Sequence, residues 1–396
     1  MPNLVIPASK SISNRLLILQ YLYPSLKINN LSTAQDSIVL QKALSEINKN
    51  SAPIKINVGH AGTAMRFLTA LLSTLDGKQF ILDGSNRMRQ RPVKILVEAL
   101  QNLGADISYL ENEGYPPLQI TGKTFDRNAV KITQNVSSQY ISALLLIAPA
   151  LPNGLTIYLE GKQVSKPYVQ MTLGILQNLG IKTEQSAEKI KVFPSKDIEE
   201  QTFHIEGDWS SASYFYGATA VLRQQPVYLT PFDKNSIQGD RKVADYFKYF
   251  GVTTEFTNRQ KIILIPEKNF QKPAILSFDL LETPDLAQTI AVSCLAMGIR
   301  CRLTGLQTLR IKETDRLLAM KTEMQKLGAV VEITDDSLEI IAPEISKTNI
   351  AIDTYDDHRM AMSFAILQKK YPDLVINQPE VVVKSFPDFW EKFDKI

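Results

Sequence analysis

Four segments of the chain share one pattern of hydrophobic and polar positions. Each has apolar residues at helical spacing, ends in an apolar residue followed by glycine, and continues into two short apolar runs separated by a polar turn. The glycines are Gly104, Gly180, Gly251 and Gly328. Glycine readily adopts the left-handed conformation that closes a helix, so the pattern predicts a helix followed by a β-hairpin in each segment.

The spacing of these glycines predicts the domain organisation. They recur at intervals of 76, 71 and 77 residues, which is longer than the roughly 20–50 residues of solenoid repeats. The period suits a folding unit of two helices and several strands, each presenting an apolar helix face to a shared core. A chain of 396 residues has room for about five or six such units, which predicts two pseudo-symmetric domains.

Several predicted helices begin with a polar cluster that is followed at once by an apolar run. Ser, Thr and Asp there are ordinary helix caps, but a cation in the first turn opposes the helix dipole. The cations at or near these starts are Lys10, Arg15, Arg66, Lys312, Arg316 and Arg359. Because helix N-termini and cations both attract phosphate, their repetition predicts a site for anionic ligands.

Composition excludes several classes of function. The net charge of +3 provides no field for binding nucleic acid or an acidic membrane. The chain has no apolar run long enough to span a bilayer, and its 10–15 motif begins so early that we expect no removable leader. Cys294 and Cys301 fit neither a metal site nor a redox pair, so we expect reduced, buried thiols and a cytoplasmic protein.

Longer strings within and between these clusters carry a resemblance to a known family. The most specific are Lys-Glu-Thr-Asp-Arg at 312–316 and Asp-His-Arg-Met-Ala-Met at 357–362. Further strings lie at 7–15, 61–66, 87–92, 137–139, 165–168, 206–214, 235–240, 283–285 and 384–388. Together they resemble, in family order, the motifs of the 5-enolpyruvylshikimate-3-phosphate synthases (3-phosphoshikimate 1-carboxyvinyltransferases), which are enolpyruvyl transferases.

The resemblance implies the architecture. It is an α/β (α+β) fold: a two-domain inside-out α/β barrel in which each domain has three pseudo-repeated helix–strand folding units. We expect a first domain at 8–226, mainly on the shikimate 3-phosphate side. The second domain, at 1–7 and 227–396, is expected mainly on the phosphoenolpyruvate side, with the active site in the cleft between them.

The resemblance also implies the reaction and its residues. The enolpyruvyl group of phosphoenolpyruvate is transferred to the 5-hydroxyl of shikimate 3-phosphate, phosphate leaves, and no cofactor or metal takes part. The expected catalytic residues are Asp285 as base, Glu313 as acid, Lys10, Lys312 and His358. The expected shikimate 3-phosphate ligands are Lys10, Ser11, Arg15, Ser137, Ser138, Gln139, Ser165, Asp285 and Lys312. The expected phosphoenolpyruvate ligands are Lys10, Gly62, Arg91, Gln139, Arg316, Arg359 and Lys384.

The resemblance implies only these small molecules as partners, with no nucleic acid or membrane, and we expect a monomer. Trp209 and Tyr214 are assigned to packing. Two positions depart from the family pattern: His60 replaces an asparagine common before Ala-Gly-Thr, and Thr308 replaces an asparagine that touches shikimate in some members.

Two alternatives remain. A UDP-N-acetylglucosamine enolpyruvyl transferase pairs its N-terminal lysine with asparagine and uses a loop cysteine, whereas here Ser11 follows Lys10 and no cysteine precedes residue 294. A catalytically silent anion-binding homologue has no need of Asp285 and Glu313 as an acid–base pair.

Overall fold

The computed structural model describes residues 3–48, 52–133, 138–161, 166–257 and 260–396. The strands in chain order are β1 (Asn3–Val5), β2 (Leu26–Asn29), β3 (Ile54–Asn57), β4 (Gln79–Asp83), β5 (Asp106–Tyr109), β6 (Leu118–Thr121), β7 (Ala129–Thr133), β8 (Leu155–Glu160), β9 (Thr183–Gln185), β10 (Lys189–Val192), β11 (Gln201–His204), β12 (Val227–Thr230), β13 (Val252–Phe256), β14 (Ile262–Pro266), β15 (Ile275–Asp279), β16 (Arg300–Thr304), β17 (Val330–Ile333), β18 (Leu338–Ala342), β19 (Ala351–Ile352) and β20 (Val375–Ile376). The α-helices are α1 (Lys10–Leu22), α2 (Gln35–Glu46), α3 (Gly62–Ser73), α4 (Lys94–Leu103), α5 (Ser138–Ile147), α6 (Lys166–Asn178), α7 (Trp209–Leu222), α8 (Val243–Tyr246), α9 (Ala287–Met297), α10 (Arg316–Lys326), α11 (His358–Lys370) and α12 (Phe389–Phe393). Short 3-10 segments span Met88–Gln90, Ala148–Ala150, Gly239–Lys242, Phe247–Phe250, Pro284–Leu286, Gln307–Ile311 and Pro379–Lys384.

The chain forms two compact units. The N-terminal unit is Lys10–Ile205, and the C-terminal unit combines Met1–Ser9 with Glu206–Ile396. The predicted domain boundary at residue 226 is therefore wrong, because the division falls between residues 205 and 206. The reason is α7, which precedes residue 226 but packs against α9 and α11 of the C-terminal unit.

The sheets repeat one topology in both units. The four-stranded sheets have the orders β3-β4-β6-β5 and β7-β8-β10-β9 in the N-terminal unit, and β1-β12-β14-β13 and β15-β16-β18-β17 in the C-terminal unit. Each begins with a parallel pair and ends in an antiparallel hairpin. Each unit adds a two-stranded parallel sheet, β11-β2 or β19-β20, which makes three folding units apiece.

The glycines that suggested the repeat adopt the predicted conformation. Gly104, Gly180, Gly251 and Gly328 have φ values of 111°, 78°, 68° and 105°. An antiparallel hairpin of one four-stranded sheet follows each of them. The predicted sequence of helix, left-handed glycine and hairpin is therefore found at all four positions, although the helix before Gly251 consists of the single turn α8 and the 3-10 segment Phe247–Phe250.

Three helices form the centre of each unit. In the N-terminal unit α1, α3 and α5 pack on one another, and in the C-terminal unit α7, α9 and α11 do so. In α9 every residue from Ala287 to Ala296 is buried, and the strands of both units bury alternate residues. A helix that is buried on all sides lies inside its domain, so helices form the interior and one-sided sheets cover them. This is the expected inside-out α/β arrangement.

The helix starts also match the polar clusters of the sequence. Helices α1, α3, α5, α7, α10 and α11 begin at or beside such a cluster, and α9 follows the 3-10 turn that contains Asp285. Among the helices of the described ranges, none is both long and apolar enough to cross a bilayer.

Candidate active site

Arg316 is the centre of a charged cluster in the C-terminal unit. It is the first residue of α10, and its side chain is 2% exposed. Its Nε donates to Asp357 Oδ2 at 2.7 Å, its Nη1 to Asp285 Oδ1 at 3.1 Å, and its Nη2 to Glu313 Oε2 at 2.9 Å. Burial disfavours the charged guanidinium, but the three carboxylates outweigh burial and raise the pKa of Arg316. This side chain is therefore a fixed cation.

Asp285 connects three cations of the cluster. Besides Arg316, its Oδ2 accepts from Arg359 Nη2 at 3.1 Å, and Lys312 Nζ lies 3.5 Å from its Oδ1. Burial lowers the pKa of Lys312, and the charge of Asp285 partly opposes that effect. The predicted base is thus held by the cations that the sequence places at the starts of α10 and α11.

Glu313 lies between two cations. Its Oε2 accepts from Arg316, and its Oε1 accepts from Lys384 Nζ at 2.6 Å. Lys384 ends the 3-10 segment Pro379–Lys384 and is 8% exposed. Two neighbouring cations favour the charged form of a carboxylate, and an anion that draws those cations away removes that effect.

The start of α11 adds a histidine and an arginine. Asp357 caps this helix by accepting from the backbone N–H of Arg359 at 2.9 Å. His358 is 2% exposed, with its Nδ1 3.8 Å from Asp357 Oδ1. Carboxylate and imidazole therefore lie side by side at the edge of the cluster.

The structure adds two residues, Tyr214 and Asp240, that the sequence did not assign to the site. Tyr214 OH accepts from Arg359 Nη1 at 3.4 Å, so this side chain contacts the site as well as packing against Phe389.

Asp240 is 5% exposed and accepts from Ser210 Oγ. Burial, with the charge of Asp285, raises its pKa to about 7. The Gln-Gly-Asp string at 238–240 was the available signal for Asp240, but nothing in the pattern connected it to Asp285.

A second group of predicted residues lies at the helix starts of the N-terminal unit. Lys10 opens α1, and its Nζ donates to Asp36 Oδ2 at 3.0 Å. Arg15 Nη1 donates to the Ser11 carbonyl at 2.8 Å, so residues 11 and 15 share a helix face.

Arg15 is a buried cation with neutral acceptors. Its Nε donates to Thr172 Oγ1 at 2.7 Å, and its Nη2 donates to Ser142 Oγ and to the Tyr168 carbonyl, both at 3.2 Å. Burial lowers the pKa of Arg15 to about 10. Because the acceptors found for it in the described part of the chain are uncharged, its positive charge remains available to an anion.

The start of α3 brings Gly62 against Arg91. A Cβ on Gly62 would lie 2.6 Å from Arg91 Nη1, so any residue other than glycine would displace this guanidinium. Arg91 is 9% exposed, and its Nε has no hydrogen-bond partner within the described ranges. At the start of α5, Ser138 is buried and Gln139 Nε2 donates to Thr63 Oγ1 at 3.2 Å.

Four other positions complete the comparison with the sequence predictions. Ser137 and Ser165 lie outside the described residues. His60 is exposed, and its Nδ1 is 3.0 Å from Ser85 Oγ. Thr308 is 8% exposed, and its hydroxyl has no partner in the described part of the chain. Across those same ranges, no group of three or more His, Cys, Asp or Glu side chains is arranged to hold a metal ion.

Sequence comparison relates the whole chain to one enzyme family. The family model for EPSP synthase (3-phosphoshikimate 1-carboxyvinyltransferase) matches residues 2–393. A Bacteroides fragilis protein named 3-phosphoshikimate 1-carboxyvinyltransferase is 43% identical over 398 residues, covering 98% of this chain and 94% of the relative. One of the same name from Photobacterium damsela subsp. piscicida is 37% identical over 415 residues, covering 99% and 96%.

Solved structures share the fold at much lower identity. EPSP synthase from Acinetobacter baumannii has a TM-score of 0.70 at 18% identity, covering 99% of this chain and 95% of that one. The enolpyruvyl transferase NikO from Streptomyces tendae has a TM-score of 0.73 at 12% identity, covering 100% and 94%. With a family model that matches almost the whole chain and relatives of 37–43% identity over its length, this chain belongs to the EPSP synthase (3-phosphoshikimate 1-carboxyvinyltransferase) family.

Proposed function

We propose that the protein is a 3-phosphoshikimate 1-carboxyvinyltransferase that joins phosphoenolpyruvate to shikimate 3-phosphate and releases phosphate. In this reaction the 5-hydroxyl oxygen bonds to C2 of phosphoenolpyruvate, the hydroxyl proton goes to a base, and an acid protonates C3. The C2–O bond to phosphate then breaks, and a proton leaves C3. The family membership and the cluster around Arg316 together carry this proposal.

The charge of that cluster suits an anionic substrate. Four cations, Lys312, Arg316, Arg359 and Lys384, are connected to the three carboxylates of Asp285, Glu313 and Asp357, which leaves one net positive charge. We assign phosphoenolpyruvate to Arg316, Arg359 and Lys384, together with Lys10, Gly62, Arg91 and Gln139 of the N-terminal unit. Guanidinium groups are well matched to phosphate and carboxylate because they donate two parallel hydrogen bonds.

Shikimate 3-phosphate is assigned mainly to the N-terminal unit. Arg15 supports this assignment, since it is buried and its described acceptors are neutral oxygens. Lys10, Ser11, Ser137, Ser138, Gln139 and Ser165 are proposed to share this substrate with it, and Asp285 and Lys312 of the C-terminal unit complete the set.

The acid and base of the reaction are proposed to be controlled by the substrates. Asp285 and Glu313 are each paired with cations, which makes a carboxylate a weak base. When the phosphate and carboxylate of the substrates take up those cations, the proton affinity of both groups rises. Asp285 then accepts the hydroxyl proton, and Glu313 acquires the proton that it delivers to C3. Lys312 and His358 stabilise the changing charge.

The test is phosphate release from phosphoenolpyruvate by the purified protein in the presence of a chelator. We expect release only when shikimate 3-phosphate is added, with no need for a metal ion. Release with UDP-N-acetylglucosamine but not with shikimate 3-phosphate would reassign the acceptor substrate. If neither acceptor causes phosphate release, a silent anion-binding homologue would be favoured.

We also propose that the enzyme acts as a cytoplasmic monomer. Two free, buried cysteines support a reducing compartment. Sedimentation at micromolar concentration would reveal a dimer if the proposal of a monomer is incorrect.

A further inference from the structure

The segment that leads into α11 is strained. Tyr355 and Asp356 both have φ values of 54°, in the left-handed region that side chains with a Cβ rarely occupy. They directly precede Asp357, His358 and Arg359 of the site. Such a conformation persists only where surrounding contacts hold it, and it is concentrated at functional sites.

Glu323 holds this segment from α10. Its carboxylate is 0% exposed; Oε1 accepts from Tyr355 OH at 2.5 Å, and Oε2 accepts from the backbone N–H of Asp353 at 3.0 Å. Lys326 Nζ, 2.7 Å from Glu323 Oε2, supplies the opposite charge. Burial, followed by the hydrogen bond and charge of Glu323, raises the pKa of Tyr355 to about 12, so the hydroxyl remains a donor at neutral pH.

A single helix therefore holds both ends of the segment 353–357. Arg316 and Glu323 are seven positions apart on α10, which is about two turns, so they lie on the same face of the helix. Arg316 binds Asp357 at the end of the segment, and Glu323 binds residues 353 and 355 at its beginning. Helix α10 therefore carries Arg316, a proposed substrate-binding cation, at its first residue, and it also fixes where α11 begins.

We propose that Glu323 is a positioning residue which, through Tyr355 and Asp353, holds the start of α11 where Arg359 can bind phosphoenolpyruvate. This inference rests on the proposed function, because it takes Arg359 as a ligand of that substrate. It goes beyond that function because it gives Glu323, a buried carboxylate that has no contact with Arg359, an effect on substrate binding.

The experiment compares Tyr355→Phe, Glu323→Gln and the double variant with the wild type by steady-state kinetics in both substrates. Tyr355→Phe keeps the ring and removes one hydrogen bond, so we expect KM for phosphoenolpyruvate to rise about 3–10-fold. KM for shikimate 3-phosphate should stay within about twofold, because its proposed ligands lie mainly in the N-terminal unit. The double variant should show less than the sum of the two single effects, since both act through one contact.

Tyr249→Phe is the matched control. Tyr249 belongs to the same unit, is 60% exposed, and its hydroxyl has no hydrogen bond in the described part of the chain. We expect this variant to match the wild type in both KM values and in thermal midpoint.

The outcomes separate this inference from the proposed function. Turnover by the wild type with unchanged KM for phosphoenolpyruvate in Tyr355→Phe would overturn this inference alone. So would a purely structural result, in which the thermal midpoint falls and both KM values remain normal. No turnover by the wild type would overturn the proposed function and this inference together. If Glu323→Gln does not fold, Tyr355→Phe still decides, because its hydroxyl belongs to a partly exposed side chain.

Discussion

Asp357 holds Arg316 with both oxygens of its carboxylate: Oδ2 accepts from Nε at 2.7 Å, and Oδ1 accepts from Nη2 at 3.4 Å. The same carboxylate caps α11. One fully buried side chain therefore fixes a proposed substrate cation and the helix that carries the next one.

We expect Asp357→Asn to impair both stability and activity. Asparagine can still cap α11 but leaves Arg316 with less opposing charge, so the free energy of unfolding should fall by about 2–4 kcal/mol. A misplaced Arg316 should lower kcat/KM by about 100-fold. Chemical denaturation and initial rates measure the two effects.

Asp315→Asn is the control for this variant. Asp315 caps α10 through the N–H of Leu318 and pairs with Arg310 at 3.4 Å, but its side chain is 29% exposed. Asparagine should keep the cap, and the loss of an exposed ion pair should cost less than about 1 kcal/mol. Equal losses in the two variants would contradict a special role for the Asp357–Arg316 pair.

Asp240 should make stability depend on pH. Its pKa is raised to about 7, mainly by burial, so the folded protein holds a proton that the unfolded chain has already released above pH ~4. The wild type should therefore lose stability relative to Asp240→Asn as pH rises from ~4 to ~7, and the difference should then stay constant. We expect Asp240→Asn to be the more stable at pH 8, by on the order of 1–4 kcal/mol. Denaturant midpoints of both proteins at a series of pH values test this, and parallel curves would refute it.

We expect Gly62→Ala to weaken phosphoenolpyruvate binding without unfolding the protein. The added Cβ would lie 2.6 Å from Arg91 Nη1, so the guanidinium must move. KM for phosphoenolpyruvate should rise about 10-fold or more, while alanine in the first turn of α3 should change stability by no more than about 1 kcal/mol.

Gly180→Ala is the control for Gly62→Ala, because it should change stability and leave substrate binding unaltered. Gly180 has a φ of 78°, and among the described residues no atom lies within 4 Å of its added Cβ, so alanine there should lower stability by about 1 kcal/mol and leave both KM values unchanged. An unaltered KM for phosphoenolpyruvate in Gly62→Ala would remove Arg91 from the proposed ligand set.

Two tyrosines of α7 allow a matched test of Arg359. Tyr214 OH accepts from Arg359, whereas Tyr216 OH lies 2.8 Å from Thr254 Oγ1, and both rings are buried. Each change to phenylalanine removes one hydrogen bond, worth about 0.5–1.5 kcal/mol. Tyr214→Phe should raise KM for phosphoenolpyruvate about 2–10-fold, and Tyr216→Phe should affect stability alone. Similar kinetics for both variants would show that Tyr214 only packs.

The repeated pattern of the sequence predicted the fold well because its signals are local. Gly104, Gly180, Gly251 and Gly328 close helices through their own backbone conformation, and the polar clusters mark where helices begin. The boundary at residue 226 was wrong because residues 209–220 of α7 are all buried and leave it no exposed face. Such a helix is predicted to be buried, but its sequence does not say in which unit.

The candidate site was predicted as a set of residues rather than as a set of contacts. Arg316, Glu313 and Asp285 stand in recognisable strings, yet their ion pairs join residues up to 74 positions apart. Asp240 and Tyr214 were missed because their importance comes from burial beside Asp285 and Arg359, which neither composition nor periodicity records. Tyr214, which was assigned to packing, does pack on Phe389 and also contacts Arg359 through its hydroxyl.

Strand β1 has a consequence for the order in which the protein is made. It pairs in parallel with β12, so that Asn3 lies beside Tyr228, and Ser9 N–H donates to the Glu206 carbonyl at 2.9 Å. The whole of Lys10–Ile205 leaves the ribosome before either partner is available. Because domains generally fold as units during synthesis, the N-terminal unit can complete its core before β12 has been made and can pair with β1. The earliest strand to be translated is thus among the later ones to be paired.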